Sequence, residues 1–379
     1  MKTPQYLRRM GLLALTTGSL ISSTSFASDT QKTLKLYNWI DYIAPDTLQK
    51  FESETGIKVV SDYFDTNEML EAKLLTGRSG YDIVVPSFTF MSRQIKAGVF
   101  QPLDKSKLSN LPKLDQKLMQ DLSHLDKDNQ HGVPYLWGTT GIGYNVQKVR
   151  EVLGEDAPVN SWELVFNPKY MEKLASCGVS ILDTPDEIFP LALHYLGKDP
   201  YPETASEYKM NSEAAKLLQS IRPYVQSFNS AQYITDLADG NLCVAVGYSG
   251  DIMQAQFRAE EANKGVSIAY SIPNEGTSIW FDMLAIPKDS QNSEAAHQFI
   301  NFVMRPDIMA DITNYVAYPN ANTEAFALID PEISGNPSIY PTPEVKQRLF
   351  TQELRKEKFN RLLTRFWTKL KTNQSVAAK

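Results

Sequence analysis

Between residues 33 and 98 short apolar runs alternate, three times over and without internal sequence repeat, with amphipathic stretches closed by glycine. The runs are TLKLYNW, KVVSDYF and YDIVVPS. The stretches are PDTLQKFESETG, TNEMLEAKLLTG and FTFMSRQIKAG, and they end at Gly56, Gly77 and Gly98. Runs of this length read as strands, and glycine just past the last periodic residue is a helix stop. Strand alternating with helix predicts an α/β fold, a parallel sheet covered on both faces. Such sheets take ligands beyond the carboxyl ends of their strands.

The rhythm breaks at HGVPYLWGTTGIGYN, residues 131–145, an extended and glycine-rich passage. A second set of strands and helices follows, with SCGVSILD, the helix PDEIFPLALHYLG, the helical run NSEAAKLLQSIRPYVQSF, and LCVAVGYSGDIMQAQFRAEEA. A further extended segment over 266–287 leads to predicted helices at 292–304 and 306–316. We therefore expect two α/β lobes, each a mixed, mainly parallel sheet flanked by helices. Extended crossings near 134–139 and 274–281 would join them as a hinge over a cleft. The expected ranges are 29–135 and 281–326 for the N-terminal lobe, and 136–280 and 342–379 for the C-terminal lobe. Two domains in series with a stiff linker are the alternative. The closing EVKQRLFTQELRKEKFNRLLTRFWTKLK predicts a helix with an apolar stripe and a basic face, either a solvated outer face or a docking surface.

The chain opens with Lys2, Arg8 and Arg9 before an apolar stretch from Met10 to Ile21 and a Ser25-Phe26-Ala27 cleavage pattern. Residues 1–27 read as a secretory signal peptide, with the Arg8-Arg9 pair leaving the general and twin-arginine routes both open. No later segment approaches the roughly 20 apolar residues of a membrane span. Removing 1–27 takes three cations and no acid, leaving 35 Lys and Arg against 44 Asp and Glu, a net charge of −9. That balance argues against nucleic acid as a partner. Two cysteines, Cys177 and Cys243, stand beside strand-like runs. In an exported protein an even pair reads as a disulfide, with two buried free thiols as the alternative.

Catalytic patterns are missing. His124, His131, His194 and His297 have no metal-ligand spacing, so no metal site is expected. Residues 138–143, GTTGIG, have the order GxxGxG rather than GxGxxG and read as a flexible crossing, so no cofactor is expected. Residues 247–250, GYSG, lack the spacing of a nucleophile elbow, which leaves a hydrolase without a nucleophile and base.

The positions just after each strand share a character. They are Trp39, Asp41 and Tyr42 after the first; Ser87 and Thr89 after YDIVVP; Glu187 after SILD; Tyr248 and Asp251 after CVAVG. Trp280 and Asp282 follow on the later extended segment, and Tyr318 in YVAYPN. These are aromatics and carboxylates, with no Lys or Arg. Ring faces attract ammonium groups by about 0.5 to 2 kcal/mol each, and carboxylates accept charge-assisted hydrogen bonds, so the set suits a small organic cation. A sugar, bound by stacking and by Asp and Glu, remains open. Each residue also has a structural reading, as core aromatic, helix cap or first-turn acid.

YNWIDYIAPDT, YDIVVPS, SCGVSILDTPDE, CVAVGYSGD, WFDMLAIP, YPNAN and TRFWTKLK occur in an order that resembles the periplasmic polyamine-binding proteins of ABC importers, the putrescine and spermidine group. The resemblance covers essentially the whole chain after residue 27. It implies a two-lobed type II binding-protein fold, periplasmic localisation, and a monomer that closes on a polyamine and presents it to an inner-membrane permease. The family's aromatic box matches Trp39, Tyr42, Tyr248, Trp280 and Tyr318. Its ammonium-binding carboxylates match Asp41, Glu187, Asp251 and Asp282, with Ser87 as a neutral partner, and its disulfide matches Cys177 and Cys243. Tyr248 stands where Trp is more frequent, and Ile40 where a small polar residue is common. Trp280 has the spermidine-type identity where putrescine-type members tend to carry Phe, while Thr184 is not the extra acid of some spermidine binders. The length of the amine therefore stays open, as do agmatine as ligand and a sensor rather than a transport role.

Overall fold

The structure, a computed structural model, describes residues 32–372. The expected signal peptide at 1–27 lies outside the described residues, as do residues 373–379.

Ten strands carry the architecture: β1 (Thr33–Trp39), β2 (Lys58–Phe64), β3 (Ile83–Val84), β4 (Gly132–Asn145), β5 (Val179–Ile181), β6 (Ser227–Phe228), β7 (Val244–Tyr248), β8 (Ile268–Ser271), β9 (Ser278–Ala285) and β10 (Phe350–Thr351). Their hydrogen-bonded order is β2-β1-β3-β9-β4-β7-β5-β6, with β10 on β9 and β8 on β4. β1 runs parallel to β2 and to β3, and the helices Thr47–Thr55 and Asn67–Leu75 supply the crossovers such pairing requires. The first helix stops where the sequence predicts: Gly56 has φ 72° and its N–H returns to the Glu52 carbonyl, a left-handed conformation costly for any residue with a Cβ.

β5 runs parallel to β6 and β7, so a second parallel set stands beyond β4. Two long strands connect the sets. Residues 132–139 of β4 pair antiparallel with β9, whereas 140–145 pair with β7 and β8. β9 reaches from β10 at Ser278 to β3 at Ala285. The glycine-rich passage is thus a continuous strand of 14 residues rather than a flexible linker. Its glycines serve close packing: a Cβ on Gly141 would lie 2.5 Å from the Tyr270 hydroxyl and 2.6 Å from the Ser271 carbonyl. The register shifts between Pro134 and Trp137, beside a proline that has no N–H for the ladder.

Two helical expectations shorten. The run from 211 forms helix Glu213–Ile221 and then leaves through Arg222–Tyr224 into β6, because Pro223 cannot continue the ladder. The closing run is helical only over Glu357–Thr372; before it come a short turn of helix, Pro343–Lys346, and β10. The apolar stripe of that last helix is covered by the chain itself, with Phe359, Leu363, Phe366, Trp367 and Leu370 all buried. Cys177 and Cys243 are disulfide-bonded, their Cα atoms 5.5 Å apart, just before the amino ends of the paired strands β5 and β7. No helix among the described residues is long and apolar enough to cross a membrane.

Candidate functional site

The carboxyl ends of the strands converge on one cavity with an empty volume of about 670 Å³, partly open to solvent. Trp39 closes β1, and Ser87 stands at the N-cap position of the helix Phe88–Lys96 that follows β3. Glu187 lies in the first turn of helix Pro185–Tyr195 after β5. Tyr248 ends β7, and Asp251 is in the first turn of helix Ser249–Ala262. Trp280 and Asp282 stand two apart on β9 and so share a face, while Tyr318 follows helix Pro306–Val316. With Tyr42 these residues line the cavity: nine of the eleven residues singled out at the strand ends are brought together.

Three of them are buried carboxylates, each held by neutral donors. Asp282 accepts from the Tyr42 hydroxyl at 2.9 Å and from Ser87 Oγ at 2.7 Å. Ser87 is fixed in turn by Asn67, whose Nδ2 donates to its Oγ and whose Oδ1 accepts from its N–H. Asp251 accepts from Tyr233 and Tyr318, both at 2.6 Å. Glu187 Oε2 accepts from Thr140 at 2.9 Å and Ser278 at 3.0 Å, and its Oε1 accepts from Gln352 Nε2. Burial dominates their titration, because a low-dielectric site disfavours the charged form. It pushes Asp282 and Glu187 up to about 7 and Asp251 up to about 6, with the donated hydrogen bonds acting in the opposite direction. The Tyr42 and Tyr318 phenols are driven well above their ordinary value by burial and then by Asp282 and Asp251 respectively, so they remain protonated donors.

The rings form a connected wall. Tyr248 meets Trp280 edge-on at 5.3 Å, Trp280 meets Tyr318 at 5.4 Å, and Tyr318 meets Tyr42 at 5.1 Å. Trp39, also in the lining, packs on Phe64 with ring centroids 4.5 Å apart. The cavity lining includes five acids, Asp65 and Asp186 besides the three above, and among the described residues that line it there is no Lys, Arg or His. Such a cavity offers compensation to a cation and none to an anion.

Asp41, expected beside Trp39 on the ligand side, is not among the residues that line this cavity. Its backbone has φ 53°, and its carboxylate turns outward to Arg258 at 2.8 Å, with 42% of the side chain exposed. Thr89 lies in a smaller neighbouring chamber with Tyr201 and Arg355. Sequence reasoning missed Asn67, Asp186, Tyr233 and Gln352. Asp186 was signalled by its place beside Glu187; Gln352 carried no signal, because it lies in a stretch whose pattern predicts helix.

The family model for the bacterial extracellular solute-binding protein matches residues 46–341. The chain belongs to this family. Among relatives of this solute-binding protein, the putrescine-binding periplasmic protein SpuD of Pseudomonas aeruginosa is 53% identical over 370 residues, 97% of this chain and 100% of that one. The putrescine-binding periplasmic protein PotF of Escherichia coli is 50% identical, covering 97% and 99%. The solved structure of the spermidine/putrescine ABC transporter substrate-binding protein PotD from Streptococcus pneumoniae matches with a TM-score of 0.72 and 26% identity, covering 90% of this chain and 99% of that one. The fold class is accordingly α/β, the two-lobed type II arrangement of periplasmic binding proteins.

Proposed function

We propose that this solute-binding protein captures a polyamine, putrescine or spermidine, in the periplasm and delivers it to the permease of an ABC importer, without catalysing a reaction. The observation that carries this reading is the cavity itself: three buried carboxylates, each already hydrogen-bonded by neutral groups, with aromatic rings in the same lining and no cationic side chain among the described residues of that lining. A linear amine would lay its methylenes against the rings and bring ammonium groups to carboxylates that burial holds near neutrality. The names of SpuD and PotF support the choice of ligand class. In the same reading β4 and β9 carry the hinge, the lobes divide at 29–135 with 281–326 and 136–280 with 342–379, residues 1–27 are the export signal, and the protein works as a monomer.

A second reading draws on the indole N–H groups of Trp39 and Trp280, which are buried without an acceptor among the described residues. A ligand with an acceptor of its own, such as a sugar, would satisfy them. Isothermal calorimetry on refolded, ligand-free protein with putrescine, cadaverine, spermidine, spermine and glucose separates the two. One-to-one heat with at least one amine and none with glucose is expected. Heat with glucose alone would establish the second reading, and silence from every amine would overturn the first.

A further inference from the structure

Asp186 lines the cavity beside Glu187, in the first turn of helix Pro185–Tyr195. A carboxylate there is within the field of any ammonium that enters, yet it is already committed. Its Oδ1 accepts from Nη1 of Arg355, whose side chain is only 3% exposed. The guanidinium sits over the rings of Tyr201 and Tyr208, 5.5 and 5.6 Å from their centroids. Its Nε and Nη2 find no acceptor among the described residues. Separating this pair would leave a buried guanidinium without its counter-charge, so the pairing is firmly held. The segment that carries Arg355 joins β10 to the last helix, and three residues earlier it places Gln352 on Glu187. One stretch of chain therefore gives a neutral donor to one of two adjacent acids and a full cation to the other.

We infer that Arg355 sets how many ammonium groups the cavity favours: by pairing with Asp186 it leaves Glu187, Asp251 and Asp282 as the buried carboxylates open to the ligand, and so weights the site toward amines of lower charge. The inference rests on the polyamine reading. Its physical basis is that a change of one charge in the wall acts on every ammonium of the ligand, so a triamine responds more than a diamine. Arg355 acts through Asp186 and is a specificity-setting residue rather than a ligand contact.

The test is calorimetry with putrescine and spermidine on the wild type, Arg355→Gln, Asp186→Asn and the double variant. Arg355→Gln is expected to shift the affinity ratio toward spermidine by about tenfold, the worth of one charge-assisted hydrogen bond. Asp186→Asn leaves the guanidinium alone beside the cavity and is expected to shift the ratio the other way. The double variant, with no net charge at the pair, is expected to return to the wild-type ratio. An unchanged ratio in a folded Arg355→Gln overturns the inference. So does a double variant that behaves like Asp186→Asn, since Asp186 would then be contacting the ligand directly. Should Arg355→Gln fail to fold, Asp186→Asn against the double variant decides, because the double variant buries no lone charge. Heat from the wild type with flat ratios across the variants removes the role of Arg355 only. No heat from the wild type with either amine overturns the polyamine reading and the inference with it.

Discussion

Asp282 shows most directly how the site works. It is 3% exposed, accepts two hydrogen bonds from neutral groups, and sits in the field of Glu187 and Asp251. Asp282→Asn keeps the shape and removes the charge, so the loss falls on the ligand: amine affinity should drop by tenfold to about a hundredfold, the range for a hydrogen bond to a charged group. Calorimetry that finds the affinity unchanged would take Asp282 out of the binding set. The pH dependence follows from the same group with its two partners. Asp282 and Glu187 titrate at about 7 and Asp251 at about 6, all above the value of about 4 in the unfolded chain. Between about 4 and 7 the ligand-free folded protein therefore holds more protons than the unfolded one, and the contribution of these groups to its stability falls as pH rises. A dication needs the ionised forms, so its contribution runs the opposite way. The rise in Tm on adding putrescine should be larger at pH 8 than at pH 5.5; equal rises in thermal melts at the two values would contradict the role of these carboxylates.

At the scale of elements, what the sequence discloses is what is decided locally. β1, β2 and the helix stops at Gly56, Gly77 and Gly98 follow from alternation and from a backbone requirement confined to one residue. β3 shrinks to Ile83–Val84, and β10 appears inside a stretch with helical pattern, because both are defined by partners far away in the chain: Val84 pairs with Ala285, and Phe350 with Ser278. The site divides in the same way. Residues at strand ends can be found by position alone, whereas Tyr233 and Gln352 reach Asp251 and Glu187 only through tertiary contact. Asp41 and Tyr42 part at a single left-handed backbone step at Asp41: Tyr42 lines the cavity, and the Asp41 carboxylate pairs with Arg258. The disulfide gives an element-scale prediction. It closes a sequence separation of 66, for which chain entropy gives about 4 kcal/mol. It lies before the amino ends of β5 and β7, while the cavity lies beyond their carboxyl ends. Cys177→Ser/Cys243→Ser should lose up to that amount in urea unfolding and keep its amine affinity; a large fall in affinity would mean that the bond shapes the site.

For the whole molecule, the closure that the two-lobed reading implies would be held in part by contacts between the expected lobes that lie outside the cavity lining. Arg258, on the helix after β7, holds Asp41, after β1, at 2.8 Å; one turn earlier on that helix, Gln254 Nε2 donates to the carbonyls of Asp41 and Val316. An ion pair this exposed is worth about 0.2 to 1 kcal/mol. Arg258→Ala should therefore weaken amine binding by up to about fivefold, through faster release rather than slower capture. Stopped-flow fluorescence of the cavity tryptophans separates the two rates, and an unchanged release rate would deny the pair a part in holding the closed form.

A cavity lined by five acids, with no Lys, Arg or His among the described residues of its lining, has a consequence for how the protein is handled. Without its amine it must take protons or borrow a counterion, and the small primary amines of common buffers are chemically competent lodgers. A dissociation constant measured in Tris is then an exchange constant, one amine displacing another. In phosphate the same protein would release no lodger, only protons, and the heat of binding would follow the ionisation enthalpy of the buffer.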